Sequence, residues 1–189
     1  MSAADGRSRL VALIGEADTV LGGHRWRLDP RAAVGLTAHV TVLAPFLPPA
    51  TIDTTVVKRL DVALDGARAF DCVFDQTRWF ERDCLWLAPV SEAPFRALTV
   101  RVCAEFPELA PYGGRRPVVP HVTVGFSRAS SVDDLRIAAA RLGATLPIRA
   151  RVRRLDLLVL DGAKGRWRSR ARFELAGDRA PGTVTDGPI

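Results

Sequence analysis

The chain contains the same tetrapeptide twice, as His39-Val40-Thr41-Val42 and His121-Val122-Thr123-Val124. Three histidines occur among 189 residues, and two of them begin this repeat, which indicates an internal duplication. Side chains two positions apart on an extended strand share a face. Each copy would therefore present His and Thr on one face and bury two valines on the other. Two such strands brought together would place two imidazoles and two hydroxyls around one small space.

The segments around the two copies follow the same order. Each copy is preceded by a strand and a helical segment and followed by a helix and two strands. Trp86 follows His39 by 47 positions and Trp167 follows His121 by 46, which favours two halves related by a pseudo-two-fold axis. Apolar and small residues alternate with arginines over Trp167–Leu175, and this alternation favours antiparallel sheets. The sequence therefore predicts an α+β fold.

Hydrophobic periodicity and turn residues predict the individual elements. The predicted strands are Arg9–Ile14, Leu36–Leu43, Phe70–Phe74, Cys84–Ala88, Val118–Phe126, Arg151–Leu160 and Trp167–Leu175. The predicted helices are Glu16–Leu21 (ended by Gly22-Gly23), Thr51–Leu64 (capped by Asp53), Ser91–Phe106 (capped by Ser91) and a helix from Ser131 to Leu142. We expect a loop over His24–Gly35.

The composition is that of a folded domain, with 48% hydrophobic and 25% charged residues. We expect one bilobal domain over residues 1–175 and a flexible tail over 176–189. No apolar run reaches the length of about 18 residues that predicts a membrane-spanning helix, and the N-terminus lacks a signal-peptide pattern. Three cysteines without a CxxC pair are typical of buried, reduced thiols. These features predict a cytoplasmic location.

The formal net charge of +6 is unevenly distributed. Residues up to Gly114 contain 12 Arg/Lys and 14 Asp/Glu, a balance of −2, whereas the remaining residues contain 15 and 7, a balance of +8. A basic half suits a polyanionic partner such as RNA or a phosphorylated nucleotide. Arginine outnumbers lysine 25 to 2, so GC-rich coding is an equally good explanation of the charge.

The paired motifs suit metal-free chemistry on a phosphate ester. Histidine serves as acid or base near neutral pH, because its ordinary pKa is about 6.5. His39 and His121 would supply a base that deprotonates water and an acid that protonates the departing oxygen. The hydroxyls of Thr41 and Thr123 would donate hydrogen bonds to the non-bridging oxygens. We expect no metal ion and no cofactor. The third histidine, His24, lacks the pattern and is interpreted as a loop residue.

The paired His-x-Thr motifs, 82 residues apart, resemble those of the two-histidine phosphoesterase superfamily, also called the 2'-5' RNA ligase family. The resemblance extends over about Arg9–Leu175 and includes Pro45-Phe46, Leu85–Pro89 and Pro120. It implies a bilobal α+β fold, in which two pseudo-symmetric antiparallel sheets, flanked by helices, enclose a central cleft.

The resemblance also implies the chemistry. Members of the family act without metal on 2',3'-cyclic phosphates, 2'-5' linkages or related cyclic nucleotide esters, and some catalyse ligation as the reverse reaction. By this resemblance His39 and His121 are the acid–base pair, and Thr41 and Thr123 hold the phosphate. The chain departs from the family at Ala44, where relatives often carry an aromatic residue, and at Ala38, where proline is frequent.

Further candidates for substrate contact lie near the second motif. Tyr112 could stack on a base, and Arg115 and Arg116 could hold a phosphate, although a plain turn explains this segment as well. Arg128, with Ser127, follows the second motif strand and is a candidate contact. The arginines of Arg166–Arg172 would either guide RNA or form a solvated sheet face.

These observations favour a metal-independent phosphodiesterase that hydrolyses 2',3'-cyclic phosphate ends of RNA or small nucleotides. Two alternatives remain open: 2'-5' RNA ligase or 2'-5' phosphodiesterase activity, and a non-catalytic module that binds RNA ends. We expect the substrate, RNA ends or cyclic nucleotides, to be the partner, with no membrane and a monomeric state. The sequence contains no GxxxxGK[ST] loop for an ATP-driven ligase.

Overall fold

The computed structural model describes residues 7–162 and 165–177. Strands and helices alternate along the chain, which places the two motifs on separate strands. In chain order the elements are β1 (Ser8–Leu13), α1 (Gly15–Leu28), α2 (Pro30–Ala33), β2 (His39–Leu43), α3 (Thr54–Leu64), β3 (Phe70–Phe80), β4 (Cys84–Pro89), α4 (Ala93–Glu105), β5 (Val122–Phe126), α5 (Val132–Gly143), β6 (Ile148–Val152), β7 (Arg154–Asp161) and β8 (Arg166–Glu174).

The eight strands form one antiparallel sheet in the order β6-β3-β4-β5-β2-β1-β7-β8. The α+β class and the antiparallel pairing predicted from the sequence are confirmed. The expectation of two separate sheets is not confirmed, because the two motif strands pair with each other through Val40 and Val122. The sheet therefore consists of two four-stranded halves that meet at β2 and β5.

The same irregularity occurs in both halves and supports the duplication. On β1 and β2, Leu10 pairs with Leu43 and Val11 with Thr41, so β2 has one extra residue. On β4 and β5, Leu85 pairs with Gly125 and Trp86 with Thr123, so β5 has one extra residue at the matching position. Such bulges bend a strand and redirect the side chains that follow. The extra residues, Val42 and Val124, are the last residues of the two motifs, and this match agrees with the pseudo-symmetry predicted from the sequence.

The near-equal spacing of Trp86 and Trp167 from the histidines does not reflect equivalent positions. Trp86 lies on β4, next to the motif strand β5, whereas Trp167 lies on β8 at the edge of the sheet. The equivalent of Trp86 in the other half is Val11, because each pairs with the motif threonine. The spacing of the two tryptophans is therefore not evidence for a repeat.

The helices cover one face of the sheet and leave the motifs on the other. The valines of both motifs belong to the main hydrophobic core, which α1, α3, α4 and α5 contribute to. Because side chains alternate along a strand, the motif histidines and threonines lie on the opposite face. We call that face, defined by His39, Thr41, His121 and Thr123, the motif face.

Two helix caps predicted from the sequence are confirmed. Asp53 Oδ1 accepts a hydrogen bond from Val56 N at 2.9 Å, and Ser131 Oγ accepts one from Asp134 N at 3.0 Å. These bonds satisfy backbone donors that the first turn of a helix leaves free. The predicted cap at Ser91 is wrong, since α4 follows Glu92 and has no side-chain cap.

The helix α1 continues through Gly22-Gly23, where the sequence predicts its end. Its buried positions are Ala17, Leu21, Arg25 and Leu28, which recur at helical spacing on one face. Packing of this face outweighs the poor helix propensity of the two glycines. The predicted loop over His24–Gly35 is therefore wrong for most of its length, because it contains the end of α1 and all of α2.

Gly125 permits close packing of α1 on β5. A Cβ atom at this position would collide with Leu28 Cβ and would lie 3.0 Å from a Leu135 methyl carbon. We expect Gly125→Ala to lower the free energy of unfolding by about 1–3 kcal/mol, as overpacked cores do. Urea titration followed by circular dichroism measures this change.

A helical glycine with free space provides the matched control. A Cβ atom at Gly22 would meet nothing within 4 Å. We expect Gly22→Ala to raise the free energy of unfolding by about 0.5–1 kcal/mol, because alanine loses less backbone entropy in a helix. Equal effects of the two substitutions would contradict the packing of Leu28 on Gly125.

Two predictions about the last strands are corrected. The predicted strand Arg151–Leu160 consists of two strands, β6 and β7, which lie at different places in the sheet. On β8 a bulge follows Ser169, because Leu158 pairs with Ser169 and Leu157 with Ala171. The predicted alternation is therefore interrupted, with Trp167 in a small cluster beside β1 and Ala171 against the main core.

Three further expectations concern the chain as a whole. No helix in residues 7–162 and 165–177 is long and apolar enough to cross a membrane. The three cysteines are free. Of the predicted flexible tail, Ala176 is bound to Ala69 N through its carbonyl oxygen, and residues 178–189 lie outside the described residues.

Candidate active site

The register of β2 and β5 brings both motifs together. Because Val40 pairs with Val122 in antiparallel fashion, the next pairs are His39 opposite Thr123 and Thr41 opposite His121. All four side chains share the motif face, and the two histidines lie on a diagonal. Diagonal neighbours across an antiparallel pair are about 7–8 Å apart between Cα atoms. That spacing leaves room for one phosphorus centre between the imidazoles.

Both imidazoles are held by the same hydrogen bond. Nδ1 of His39 lies 2.7 Å from the carbonyl oxygen of Thr37, and Nδ1 of His121 lies 2.6 Å from that of Val119. A carbonyl oxygen only accepts, so each Nδ1 carries the proton and donates it. Each neutral imidazole then has an unprotonated Nε2 for a substrate or water. The two histidines therefore have the same tautomer, with the proton on Nδ1.

The two histidines have different neighbours. The His121 ring makes edge contacts with Phe80 and Trp86, at centroid distances of 4.9 and 5.6 Å, and these two aromatic rings stack on each other at 4.7 Å. His39 is 7% exposed and lies within the electrostatic reach of Arg9 and Arg31. His121 therefore packs against two aromatic rings, whereas His39 lies within the electrostatic reach of two guanidinium groups.

These surroundings lower the pKa of both histidines. Burial is the main cause for His39, followed by the charge of Arg9, and its pKa falls well below 6.5. Burial also lowers the pKa of His121, and Arg31 adds to this effect. The hydrogen bonds to Thr37 and Val119 oppose these shifts without cancelling them. Both imidazoles are therefore largely neutral at pH 7 in the absence of substrate.

A buried ion network lies beside the first motif. Asp29, which is fully buried, accepts hydrogen bonds from Arg25 Nη2 at 2.9 Å and from Arg31 Nε at 2.9 Å. Arg25 also donates to the carbonyl oxygen of Leu36 at 2.8 Å. Asp18 connects the network to the motif, since it accepts from Arg25 Nη1 at 3.3 Å and from Ala38 N at 2.8 Å.

The sequence does not predict this network. Arg25, Asp29 and Arg31 lie in the segment with loop-like composition, and charged residues in loops are usually solvated. The i, i+4 spacing of Arg25 and Asp29 is the available signal, because it fits one face of a continuous helix. The glycine pair before them obscures that continuity.

The candidates that precede the second motif differ in burial and in the contacts they make. Tyr112 is partly buried, donates its backbone N–H to the carbonyl oxygen of Ala44 at 2.7 Å, and lies within the electrostatic reach of Arg9. It therefore stands at the end of the first motif strand. Arg115 and Arg116 are exposed in the segment that follows.

Arg128 lies near the other end of the site. Its guanidinium is 4.4 Å from the centroid of Phe126, and the guanidinium of Arg31 is 4.5 Å from the same ring. Ser127 Oγ instead donates to Asp83 Oδ1 at 3.2 Å. Phe126 is the structural equivalent of Ala44, so an aromatic residue that is absent after the first motif is present after the second.

The arginines of β8 lie at the sheet edge, and several have acidic partners. Arg168 pairs with Asp161 at 3.5 Å and Arg172 with the buried Asp156 at 3.3 Å. Arg170 donates to the carbonyl oxygen of Ile52 at 3.4 Å. The structure therefore does not bring this group of arginines to the histidines.

Two cavities among the described residues are lined by side chains other than the four motif side chains. One cavity of about 290 Å³ adjoins Thr37 and Ala38, immediately before the first motif, and is lined further by the start of α1 and by Arg151, Arg153 and Arg154. The central cleft expected between the halves is not confirmed. Within the described ranges, no group of three His, Cys, Asp or Glu side chains is placed to hold a metal ion.

Comparison with known proteins agrees with the paired motifs. A family model described as "2'-5' RNA ligase superfamily" matches residues 17–164, which include both motifs. The chain belongs to this superfamily. The resemblance stated from the sequence is therefore confirmed. No protein with a curated description matches the sequence significantly.

Solved structures with the family's fold cover nearly the whole chain. LigT of E. coli, in complex with 3'-AMP, has a TM-score of 0.60 at 19% identity, over 91% of this chain and 99% of LigT. TT0787 of Thermus thermophilus has a TM-score of 0.59 at 18% identity, over 91% and 99%. A protein described as a phosphoesterase has a TM-score of 0.59 at 18% identity, over 90% and 98%. At such identities the similarity concerns the fold.

Proposed function

We propose that this protein is a metal-independent phosphodiesterase that opens 2',3'-cyclic phosphates at RNA ends or on small nucleotides. The observation that carries the proposal is the shared arrangement of His39 and His121, each with Nδ1 bound to a carbonyl oxygen and Nε2 left for chemistry. The family supports a phosphoesterase or ligase. The complex of LigT with 3'-AMP supports a nucleotide as ligand.

The proposed reaction uses one histidine as base and the other as acid. The neutral base accepts a proton from water at Nε2, and the water oxygen forms a new bond to phosphorus. The bond between phosphorus and one ribose oxygen breaks, and the protonated acid gives that oxygen a proton. The products are a phosphate monoester and a ribose hydroxyl. Thr41 and Thr123 donate hydrogen bonds to the non-bridging oxygens, on which negative charge grows.

The substrate would lie on the motif face, along β2 and β5, where the two halves of the sheet meet. Tyr112, Arg115, Arg116 and Arg128 remain candidates for contacts outside the reacting group. The monomeric state and the cytoplasmic location also remain predictions.

Incubation with the four 2',3'-cyclic mononucleotides and with an oligonucleotide that ends in a cyclic phosphate tests the proposal. Phosphorus NMR should show conversion to a 2'- or 3'-monoester, at the same rate in excess EDTA as without it. Loss of activity in EDTA would contradict the metal-free mechanism. Absence of product over hours, despite tight binding of the oligonucleotide, would favour the non-catalytic RNA-end-binding module.

Ligation is the second candidate, and the family name supports it. The reverse of the proposed reaction joins a cyclic phosphate end to a hydroxyl end and uses the same residues. Dilute water favours hydrolysis, so we place ligation second. Joined product from concentrated cleaved RNA halves, without ATP, would support it.

The pH dependence should reflect the lowered pKa values of the two histidines. The reaction needs one imidazole neutral and one protonated, so kcat/KM should follow a bell-shaped profile that reports on the free enzyme. A lower pKa of each histidine moves both limbs of this profile to lower pH, because each imidazole then gains or loses its proton at lower pH. We expect the maximum below pH 6.5, with the two limbs belonging to the pair. A maximum above pH 7 would contradict the conclusion that burial and nearby arginines lower the pKa of both histidines.

A further inference from the structure

The charge of Asp29 acts on the guanidinium of Arg9, but no acidic side chain of the described residues is bonded to it. Within residues 7–162 and 165–177 it makes no hydrogen bond or ion pair, and its Nε is buried without any acceptor. The guanidinium lies over the Trp167 ring, whose centroid is 4.2 Å from the Arg9 Cζ atom. A partly buried cation without a partner costs stability. Such a group calls for an explanation, and an absent anionic ligand provides one.

Arg9 lies on the motif face, within the electrostatic reach of His39. It pairs with Leu158, which belongs with Val11 and Trp167 to a small cluster on that face, and Val11 pairs with Thr41. Among the charged groups that act on His39, Arg9 has the largest effect on its pKa. The cation is therefore a neighbour of both the first histidine and the first threonine.

Arg31 is a second cation at the same place, and it is held rigidly. Asp29 accepts from Arg31 Nε at 2.9 Å, from Nη2 at 3.3 Å and from the backbone N at 3.1 Å. This arrangement uses one edge of the guanidinium and leaves Nη1 for another acceptor. Arg31 influences both His39 and His121. Burial, and after it the charge of Arg31, lowers the pKa of Arg9 to about 10.

The charges of Arg9 and Arg31 repel one another, and an anion bound by both would relieve this repulsion. Arg9 remains charged at neutral pH, since its pKa is about 10, and Asp29 already binds Arg25 as well as Arg31. An oxyanion with several acceptor oxygens, such as phosphate, suits donors of this fork-like geometry. Thr41 and Thr123 share the motif face with Arg9, since Val11 pairs with Thr41 and Val40 pairs with Val122.

We propose that Arg9 and Arg31 form an oxyanion site that receives the non-bridging oxygens of the reacting phosphate, between the first histidine and the paired threonines. The inference rests on the proposed function and deepens it, since it assigns two phosphate-binding residues outside the His-x-Thr motifs. It also explains why the unpaired Arg9 is present: the substrate supplies its counter-charge.

The experiment compares Arg9→Met with wild-type protein in phosphate-free buffer and with added inorganic phosphate. Methionine keeps the aliphatic contact with Trp167 and removes the charge. We expect the variant to have an equal or higher Tm in phosphate-free buffer, because an unpaired cation is gone. We expect its affinity for inorganic phosphate and its kcat/KM for a 2',3'-cyclic mononucleotide to fall at least about tenfold.

A control and a second variant make the test specific. Arg136→Met removes an exposed arginine of α5 that pairs with Asp133, so it changes net charge equally and should leave both quantities unchanged. Arg31→Gln should weaken phosphate binding and also shift both limbs of the pH profile toward higher pH, since Arg31 lowers the pKa of both histidines. If Arg31 only supported the structure, Arg31→Gln would not shift the pH profile of kcat/KM.

The possible outcomes separate this inference from the proposed function. A lower Tm for Arg9→Met with unchanged phosphate affinity would overturn the inference and assign Arg9 a structural role. A fall in kcat/KM of Arg9→Met for oligonucleotides alone, with mononucleotides unaffected, would also overturn the inference. Arg9 would then contact a neighbouring phosphate instead of the reacting one. If wild-type protein binds phosphate through Arg9 but opens no cyclic phosphate, the proposed function fails and the oxyanion site stands.

Discussion

Replacing either His39 or His121 by alanine is expected to lower kcat/KM for a 2',3'-cyclic nucleotide by about 10²–10⁴-fold, the usual contribution of a positioned acid or base. Each imidazole carries a separate proton transfer, so the other cannot compensate. The double variant should be little worse than either single variant, because residues that act as a unit have non-additive effects. Initial rates with a cyclic mononucleotide at saturating and subsaturating concentrations measure both kcat and KM.

The third histidine provides the matched control. His24 is a partly exposed residue of α1, and its sequence lacks the His-x-Thr pattern of the two motifs. We expect His24→Ala to retain wild-type kcat and KM, and all three alanine variants to keep the wild-type circular dichroism spectrum. Full activity of a folded His121→Ala variant would exclude the two-histidine mechanism.

Asp29→Asn is expected to cause the largest loss of stability, about 3–5 kcal/mol, because it leaves a buried cation without its counter-charge. Asp29 is fully buried, and the Arg25 side chain is 2% exposed. The Arg25 guanidinium would keep only the more distant Asp18 as an acidic partner. Chemical denaturation at pH 7 measures the change. Asp133→Asn on the surface of α5, which also removes a carboxylate paired with an arginine, should change stability by less than about 0.5 kcal/mol.

The effect of Asp29→Asn should depend on pH in a defined direction. Burial alone would raise the pKa of Asp29, but the hydrogen bonds and charges of Arg31 and Arg25 outweigh it and lower the pKa below 3.8. A lowered carboxyl pKa contributes stability above its unfolded-state value and loses it as pH falls through the folded-state value. The difference between wild type and variant should therefore narrow below pH 3.8. A difference that widens in acid would contradict this ion network.

Asp29→Asn should also reduce activity, for a reason separate from stability. Asp29 holds Arg31 and, through Arg25, the carbonyl oxygen of Leu36, which precedes the first motif. Without the bond to Asp29, Arg31 would no longer be held in the position from which its charge acts on both histidines. Assay below the unfolding transition separates the two effects, since the remaining folded protein should show the lower kcat/KM.

The sequence is sufficient to predict the centre of the molecule. The duplicated tetrapeptide predicts which four side chains share a face, and strand alternation is a local property that few contacts override. The direct pairing of β2 with β5 cannot be predicted in this way, because pairing depends on long-range register. The extra residues at Val42 and Val124 are equally hidden, since a bulge leaves no fixed trace in composition.

The wrong predictions from the sequence concern segments in which tertiary contacts outweigh local secondary-structure propensity. Gly22-Gly23 would end an isolated helix, but α1 is held on the sheet by Leu21, Arg25 and Leu28. The junction at Arg153 between β6 and β7 carries neither glycine nor proline, so the sequence pattern predicts one strand instead of two. The cations beside the first motif are not predicted because the groups they act on are distant in sequence.

The register across β2 and β5 bears on how such a molecule could arise. His39 stands opposite Thr123, and Thr41 stands opposite His121, so every imidazole–hydroxyl couple is shared between the two repeats. An ancestral polypeptide with one repeat could have assembled these couples only by associating with a second copy of itself. Duplication and fusion of its gene would then make the association permanent and would let each copy acquire its own surroundings, aromatic in one case and cationic in the other.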